Sequence, residues 1–98
     1  METLASNAHA YTLIEKELIS SLSFKNSRAD SQDPDLLKKL KNATSLGNLH
    51  RNKCRIIFQD SSSVKAVETT IWSTGKHYIC LKGGMWLPIR NILDVKIL

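Results

Sequence analysis

The sequence predicts a mainly β fold of the α+β class, in which two N-terminal helices precede five short antiparallel strands. In the first half of the chain, apolar residues recur at spacings of three and four, as on one face of a helix. From Lys53 onward the spacing changes to two, as in a half-buried strand. Gly75, Gly83 and Gly84 lie between the apolar runs, where a chain that reverses direction needs residues that tolerate positive φ.

An amphipathic helix is predicted over residues 3–23, where apolar side chains recur at helical spacing. Its polar face has no basic cluster, which disfavours adsorption to a membrane surface. The apolar stripe is therefore expected to dock either onto the core of the chain or onto a partner, which includes a second copy of the chain. The residues predicted to form this partner interface are Leu4, Tyr11, Ile14, Leu18 and Leu22.

A polar, aperiodic segment follows at residues 24–33 and predicts a flexible linker. A second helix is predicted over residues 34–46, because Asp33 can accept a hydrogen bond from a free N–H of the first turn and Pro34 suits the first helical position. Gly47 is expected to end this helix in the left-handed conformation. The predicted buried stripe comprises Leu36, Leu37, Leu40 and Ala43, and the predicted exposed lysines are Lys38, Lys39 and Lys41.

Five strands are predicted after residue 52, because that part of the chain is rich in β-branched and aromatic residues with a period of two. Their predicted ranges are residues 53–59, 64–73, 76–82, 85–87 and 92–97. Residues 89–91 are expected to form a short 3₁₀ turn between the last two strands. Both faces of the third strand are apolar, so its register stays open. The alternatives for its inward pair are Ile79 with Leu81 and Tyr78 with Cys80.

The layout of residues 34–98, a helix and then five short strands with a helical turn before the last, resembles the small SH3-like and Sm-like β-barrels. Phrases similar to LPIRNILDV at Leu87–Val95 occur at this place in Sm-like proteins and in the small barrel that inhibits the Rho terminator. The resemblance implies a five-stranded antiparallel barrel in which the first and last strands pair. Four shorter segments resemble a family of short uncharacterised bacterial proteins: Lys41–Thr44, Gly47–Arg51, Glu68–Trp72 and Leu81–Gly84.

The chain is expected to form one domain overall, with an N-terminal amphipathic helix and flexible linker in residues 1–33 and a short helix plus small β-barrel in residues 34–98. The first part has three basic and five acidic residues, whereas the second has eleven basic and four acidic ones; the net charge of the chain is +5. Clustered lysine and arginine gain affinity for polyanions by releasing counterions from phosphates. The basic second part therefore favours RNA or another polyanion as a partner.

Trp72, Tyr78 and Trp86 lie on neighbouring predicted strands, close in sequence to basic residues. Because bases stack on aromatic rings and phosphates contact cations, this combination favours single-stranded nucleic-acid binding, although such rings also suit a peptide or the core. Trp72 is expected to be exposed, and Trp86 to pack under the first helix. Sm-like proteins hold a base of single-stranded RNA with an Ile-Arg-Gly motif, and the resemblance adds Arg90 and Asn91, where Asn91 replaces the glycine. The predicted nucleic-acid-binding residues are Trp72, Lys76, Lys82, Arg90 and Asn91.

No catalytic, cofactor-binding or metal-binding set of residues is predicted. Cys54 and Cys80 are far apart in sequence, and the three histidines are scattered. The N-terminus has no signal-peptide pattern and no apolar run long enough to span a membrane, so a cytoplasmic location is expected. The predicted function is a non-enzymatic binding module that contacts RNA or another polyanion. The alternative is a protein-interaction or self-assembly module that uses the first helix.

Overall fold

Two β-sheets and one α-helix of 15 residues form the part of the chain that the computed structural model describes, residues 10–98. The strands are β1 (Thr12–Leu13), β2 (Cys54–Gln59), β3 (Val64–Thr69), β4 (Ile71–Thr74), β5 (Tyr78–Leu81), β6 (Trp86–Pro88) and β7 (Ile92–Ile97). The helices are α1 (Leu36–His50) and two 3₁₀ helices, Lys16–Ser21 and Ile89–Asn91. Helix α1 packs against β4 and β7 and thereby contacts both sheets.

The two sheets contain four and three strands. The four-stranded sheet has the order β1-β3-β2-β7, with β2 antiparallel to both β3 and β7 and with β1 added parallel to β3. The three-stranded sheet is antiparallel, with the order β4-β5-β6. The expected pairing of the first and last predicted strands is present as β2 with β7. Within residues 10–98, however, no closed barrel forms, so the prediction of a five-stranded SH3-like or Sm-like barrel is wrong.

The division into two sheets follows from a bend at Thr70. Residues 64–73 were predicted as one strand, but the ladder of β3 ends at Thr69 and β4 begins at Ile71 in the other sheet. The carbonyl oxygen of Thr70 accepts a hydrogen bond from the N–H of Lys82 (2.9 Å), and its hydroxyl donates to the carbonyl oxygen of Asn52 (3.3 Å). The carbonyl oxygen and the hydroxyl of this buried threonine therefore both have hydrogen-bond partners, which stabilises the bend.

The core lies between helix α1 and the inner faces of the two sheets. Alternate residues of β2 point into it, as the period of two predicts, whereas Ile57 points to a smaller cluster on the opposite face of the four-stranded sheet. In β5 the inward pair is Ile79 with Leu81, which resolves the open register; Tyr78 is exposed. The buried members of the main cluster are Ile19, Leu36, Leu40, Ala43, Cys54, Ile56, Phe58, Val67, Ile71, Ile79, Leu81, Leu87, Ile92 and Val95.

The first predicted helix is not an α-helix in the described residues. From residue 10 onward the chain forms the short strand β1, whose pairing continues in a hydrogen bond from the N–H of Ile14 to the carbonyl oxygen of Ala66 (2.9 Å), and then the 3₁₀ helix Lys16–Ser21. Residues 3–9 of the predicted helix lie outside the described residues. The open edge of β3 provides partners for backbone groups here, and serine-rich segments are weak helix formers, so tertiary pairing overrides the helical spacing.

The segment predicted as a flexible linker is attached to the turn between β6 and β7. The N–H of Ala29 donates to the carbonyl oxygen of Arg90 (2.9 Å), and the Ala29 side chain is buried. The Gln32 amide donates to the carbonyl oxygens of Ile89 (2.7 Å) and Ile92 (2.8 Å). A polar composition indicated only that this segment has no regular structure, whereas these hydrogen bonds give it a defined path.

Helix α1 begins and ends later than predicted. Asp33 accepts a hydrogen bond from the N–H of Asp35 (2.7 Å), as expected of a residue that starts a helix, but regular α-helix begins only at Leu36. Gly47 lies inside the helix, and the left-handed residue that ends it is Arg51, with φ of 57°. Leu37, predicted to be buried, is half exposed.

Gly47 stays inside the helix because of close packing against the bend. A Cβ atom at this position would lie 2.7 Å from Cγ2 of Thr70 and 3.1 Å from the carbonyl oxygen of Ile71. Nearby, the hydroxyls of Thr44 and Thr74 are hydrogen-bonded to one another at 2.7 Å, which joins α1 to β4. The glycine therefore permits close contact between the helix and the start of β4 rather than supplying a turn conformation.

The Gly47→Ala variant is expected to lower the free energy of unfolding by about 1–2 kcal/mol, because overpacking against a backbone oxygen outweighs the higher helix propensity of alanine. Chemical denaturation of both proteins measures this change. Thr70→Ser removes the methyl group that would clash with the Cβ atom added at position 47. Gly47→Ala should therefore lower the free energy of unfolding less in the Thr70→Ser protein than in the original protein. An unchanged or raised stability of Gly47→Ala would contradict the close packing.

Asp60 organises the hairpin loop between β2 and β3. One carboxylate oxygen accepts hydrogen bonds from the N–H groups of Ser62 and Ser63, both at 2.8 Å, and the other accepts one from the Lys65 ammonium at 2.6 Å. Burial alone would raise the pKa of Asp60, but these donors and the Ser62 hydroxyl outweigh it and lower the pKa to about 2.

Folding stability is therefore expected to fall in acid. Because the pKa of Asp60 is lower in the folded chain than its ordinary value of 3.8, its contribution is complete above that value and is lost as the pH falls through 2. This difference between the two pKa values corresponds to about 2 kcal/mol in the free energy of unfolding. Urea denaturation between pH 7 and pH 2 measures it, and Asp60→Asn should be less stable at pH 7 and lose less stability on acidification. Equal acid dependence in both proteins would contradict this role.

Candidate nucleic-acid interface

Each strand of the three-stranded sheet carries one aromatic side chain that is about half exposed. The exposed fractions are 49% for Trp72 on β4, 50% for Tyr78 on β5 and 58% for Trp86 on β6. Each ring follows or precedes a fully buried aliphatic residue, so the alternation of the strands directs it away from the core. The pairing of β4 with β5 shifts by one residue at Trp72. Such irregularities in a strand change the direction in which a side chain points. These three residues are called the aromatic face.

The exposure of Trp72 was predicted correctly, but that of Trp86 was not. Trp86 was expected to pack under the first helix, whereas the core contact on β6 is made by Leu87. The pairing of β5 with β6 places Trp86 opposite Cys80 and Tyr78 opposite Pro88. Trp86 and Tyr78 therefore lie on adjacent strands of the same face, within reach of neighbouring bases of one strand of nucleic acid.

A concave pocket of about 340 Å³ lies beside Trp72, and it is called the Trp72 pocket. It forms where the end of α1 meets the bend at Thr70 and the end of β5. Its lining residues are Gly47, Asn48, Arg51, Lys53, Thr70, Trp72 and Lys82. Trp72 and Lys82 were predicted as site residues, whereas Arg51 and Lys53 were missed. The sequence shows these two residues only as a short basic segment directly after helix α1. A contact between residues far apart in the chain places this segment beside Trp72.

A second pocket, of about 470 Å³, lies beside Arg90 and is called the Arg90 pocket. Two hydrogen bonds join its lining residues: the Gln32 amide donates to the carbonyl oxygen of Ile89 (2.7 Å), and the N–H of Ile89 donates to the carbonyl oxygen of His77 (2.9 Å). Its lining residues are Gln32, Lys76, His77, Tyr78, Pro88, Ile89 and Arg90. The predicted residues Lys76 and Arg90 therefore come together here, next to the Tyr78 ring. Arg28 lies with Arg90 in an adjoining hollow.

Asn91 does not belong to this surface. Its side chain is fully buried, and its amide donates to the Ser27 hydroxyl and to the carbonyl oxygen of Gln59, both at 2.8 Å. The 3₁₀ turn directs Arg90 outward and Asn91 inward, so the assignment of Asn91 to nucleic-acid binding is wrong. Its role is to connect the linker segment and β2 to the turn.

Three of the four acidic residues of the basic second part pair with cations outside the two pockets. Lys39 pairs with Asp33 and Asp94, Arg55 with Glu68, and Lys65 with Asp60, at distances of 2.6–3.4 Å. Among residues 10–98, no ion pair involves the five cations that line the two pockets. Those cations are Arg51, Lys53, Lys76, Lys82 and Arg90. The pockets are therefore positively charged.

The predicted partner interface does not form one continuous stripe. Tyr11 and Leu18 are exposed, whereas Ile14 and Leu22 are partly buried against the main core. Leu4 lies outside the described residues. Because the chain is not α-helical here, the side chains that share a helical face in the sequence pattern point in different directions.

Neither cysteine forms a disulfide, and Cys54 is unsuited to nucleophilic chemistry. Burial raises the pKa of the Cys54 thiol to about 11, so almost none of it is ionised at neutral pH. In residues 10–98 no three His, Cys, Asp or Glu side chains are grouped as metal ligands would be. No helix in the same residues is both long and apolar enough to cross a membrane.

The fold and the site together define a small, mostly β domain with one α-helix, in which two basic pockets lie beside exposed aromatic rings of the three-stranded sheet. Comparison of the chain with protein-family models, with curated proteins and with solved structures finds no match.

Asn91→Ala is expected to lower the free energy of unfolding by about 1–3 kcal/mol, because two buried acceptors lose their donor. Thermal or chemical denaturation measures the loss. The matched control is Arg90→Ala, an exposed neighbour whose removal should change stability by less than about 0.5 kcal/mol. A loss of stability as large for Arg90→Ala as for Asn91→Ala would contradict the distinction between an inward and an outward side chain.

Proposed function

We propose that this chain is a non-enzymatic cytoplasmic protein that binds single-stranded RNA through the aromatic face and the two basic pockets beside it. The observation that carries the proposal is the combination on one sheet of three half-exposed aromatic rings with cations that have no carboxylate partner in the described residues. Two free cysteines agree with the reducing conditions of the cytoplasm.

Stacking supplies the first part of the affinity. Large aromatic rings exposed to water are unfavourable for an isolated domain, and a base covers such a ring without needing a particular sequence. Each stacked base contributes about 1–3 kcal/mol. Rings on three adjacent strands suit an extended single strand, whereas the bases of a duplex are already stacked on one another.

Charge supplies the second part. The Trp72 pocket has three cations and the Arg90 pocket has two, together with His77. An RNA strand that crosses the sheet from one pocket to the other would place its phosphates beside these cations. The cations would displace counterions from the phosphates, which makes binding strongly salt-dependent. A surface of this kind distinguishes single strands from duplexes better than it distinguishes one base from another.

A protein-interaction or self-assembly module stays the second proposal, with less support, because residues 10–23 do not form the amphipathic α-helix on which it rested. A peptide on the aromatic face would use the same rings. It would not require five cations without carboxylate partners, which is why the RNA proposal is preferred.

Binding is tested by fluorescence anisotropy with a labelled single-stranded RNA of about ten nucleotides, a length within the usual site size of such surfaces. Trp86→Ala is expected to weaken binding about tenfold by removing one stacking ring. Leu49→Ala is the matched control, because Leu49 is also an exposed apolar residue but lies on α1 and lines neither pocket. It should bind as the original protein does.

The charge contribution is tested with Lys76→Gln, which should reduce the slope of log affinity against log salt by about 0.7, the value for one phosphate contact on a single strand. Lys38→Gln removes the same charge from the exposed side of α1 and should leave the slope unchanged. Affinity that does not fall with salt, or that is the same for Trp86→Ala and Leu49→Ala, would overturn the proposal.

A further inference from the structure

The Trp72 pocket combines an aromatic ring with three lysine and arginine side chains, one more than line the Arg90 pocket. Its volume of about 340 Å³ lies in the range of small-ligand sites. Its three cations come from three segments: Arg51 from the end of α1, Lys53 from the start of β2 and Lys82 from the end of β5. They converge on one hollow from different directions, whereas charges along one helix face would point outward in parallel.

Hydrogen bonds and close packing connect the backbone segments that carry these groups. The bend at Thr70 is held by hydrogen bonds to Lys82 and Asn52, and Gly47 packs against it without a Cβ atom. The Asn48 amide donates to the carbonyl oxygen of Trp72 (3.4 Å), which connects the helix end to the strand that carries the ring. A preorganised pocket binds more tightly because less conformational entropy is lost on binding.

The charges in the pocket favour an anion. The C-terminus of α1 contributes about half a negative charge, but the three cations exceed it several-fold. Lys53 also lines a neighbouring hollow with Glu15 and Glu68, but no ion pair joins Lys53 to either of them in the described residues, and Glu68 is paired with Arg55 at 2.6 Å. A phosphate placed among Arg51, Lys53 and Lys82 would therefore meet net positive charge.

We infer that the Trp72 pocket binds one nucleotide unit, with its base against the Trp72 ring and its phosphate among Arg51, Lys53 and Lys82. This inference deepens the proposed function and rests on it for the source of the ligand, because the unit belongs either to an RNA strand or to a free nucleotide. The pocket thus acts as the anchor of the surface, and the flat aromatic face contributes additional stacking.

The pocket is tested with adenosine 5′-monophosphate on a Trp86→Phe protein. The chain has two tryptophans, so Trp72 is the remaining one and its fluorescence reports on this pocket. Saturable quenching by the nucleotide is expected. Adenosine should need a concentration at least about a hundredfold higher, because it lacks the phosphate that all three cations contact. Inorganic phosphate should compete without quenching. Calorimetry on the unmodified protein checks that the Trp86 substitution does not create the binding.

Lys82→Gln and Arg51→Gln should each weaken nucleotide binding about ten- to a hundredfold, the usual effect of losing one charge-assisted hydrogen bond. Lys38→Gln is the control with the same change of charge and should bind normally. Equal affinity in all three variants, or equal affinity for adenosine and its monophosphate, would overturn the nucleotide pocket.

The two proposals fail in different ways. If single-stranded RNA binds with salt dependence but the mononucleotide does not quench Trp72, the nucleotide pocket is wrong and the RNA surface stands. If the mononucleotide binds but RNA does not, the pocket is a site for free nucleotides, and the RNA function, together with the RNA strand as the source of the ligand, is wrong. Competition of an RNA oligonucleotide with the mononucleotide at Trp72 supports both.

Discussion

The close contact between helix α1 and the bend at Thr70 is the constraint on which the rest of the structure depends. Gly47 allows the helix to approach the start of β4, and the backbone hydrogen bond from Lys82 to Thr70 fixes where the chain leaves one sheet and enters the other. Because α1 packs against both β4 and β7, it covers the inner faces of both sheets. The same contact brings the basic end of the helix beside Trp72, so the packing of the core also shapes the candidate site.

A second organising feature is the separation of paired from unpaired charge. Three of the four carboxylates of the basic second part pair with Lys39, Arg55 and Lys65, which lie on α1 and the four-stranded sheet. Surface ion pairs of this kind contribute little to folding stability. They do, however, occupy carboxylates that could otherwise pair with the cations of the two pockets. The cations around the three-stranded sheet therefore have no carboxylate partner in the described residues. This distribution, more than the net charge, favours a polyanion on that sheet.

Sequence patterns predicted the local elements more accurately than their arrangement. Alternation in β2 placed Cys54, Ile56 and Phe58 on the core side, and the 3₁₀ turn before β7 is where it was predicted. Between residues 10 and 23 the helical spacing of apolar residues was misleading, because the backbone of β1 pairs with the edge of β3. The spacing of apolar residues along the chain does not show such pairing. Arg90 and Asn91 show the same limit at the site. They are adjacent in sequence, but the turn exposes one and buries the other, so a motif resemblance could not assign both.

The sequence by itself determined where most of the strands lie from Cys54 onward, though not the division of residues 64–73 between two strands. It also determined the presence of helix α1, the uneven charge and the aromatic residues close in sequence to cations. These properties depend on spacing and composition over a few residues, so they are local. Only the tertiary structure decided that the strands form two sheets, that Trp86 is exposed and that Arg51 and Lys53 meet Trp72 and Lys82. Those outcomes depend on where a bend falls and on which surfaces pack together, and such contacts join residues far apart in the chain.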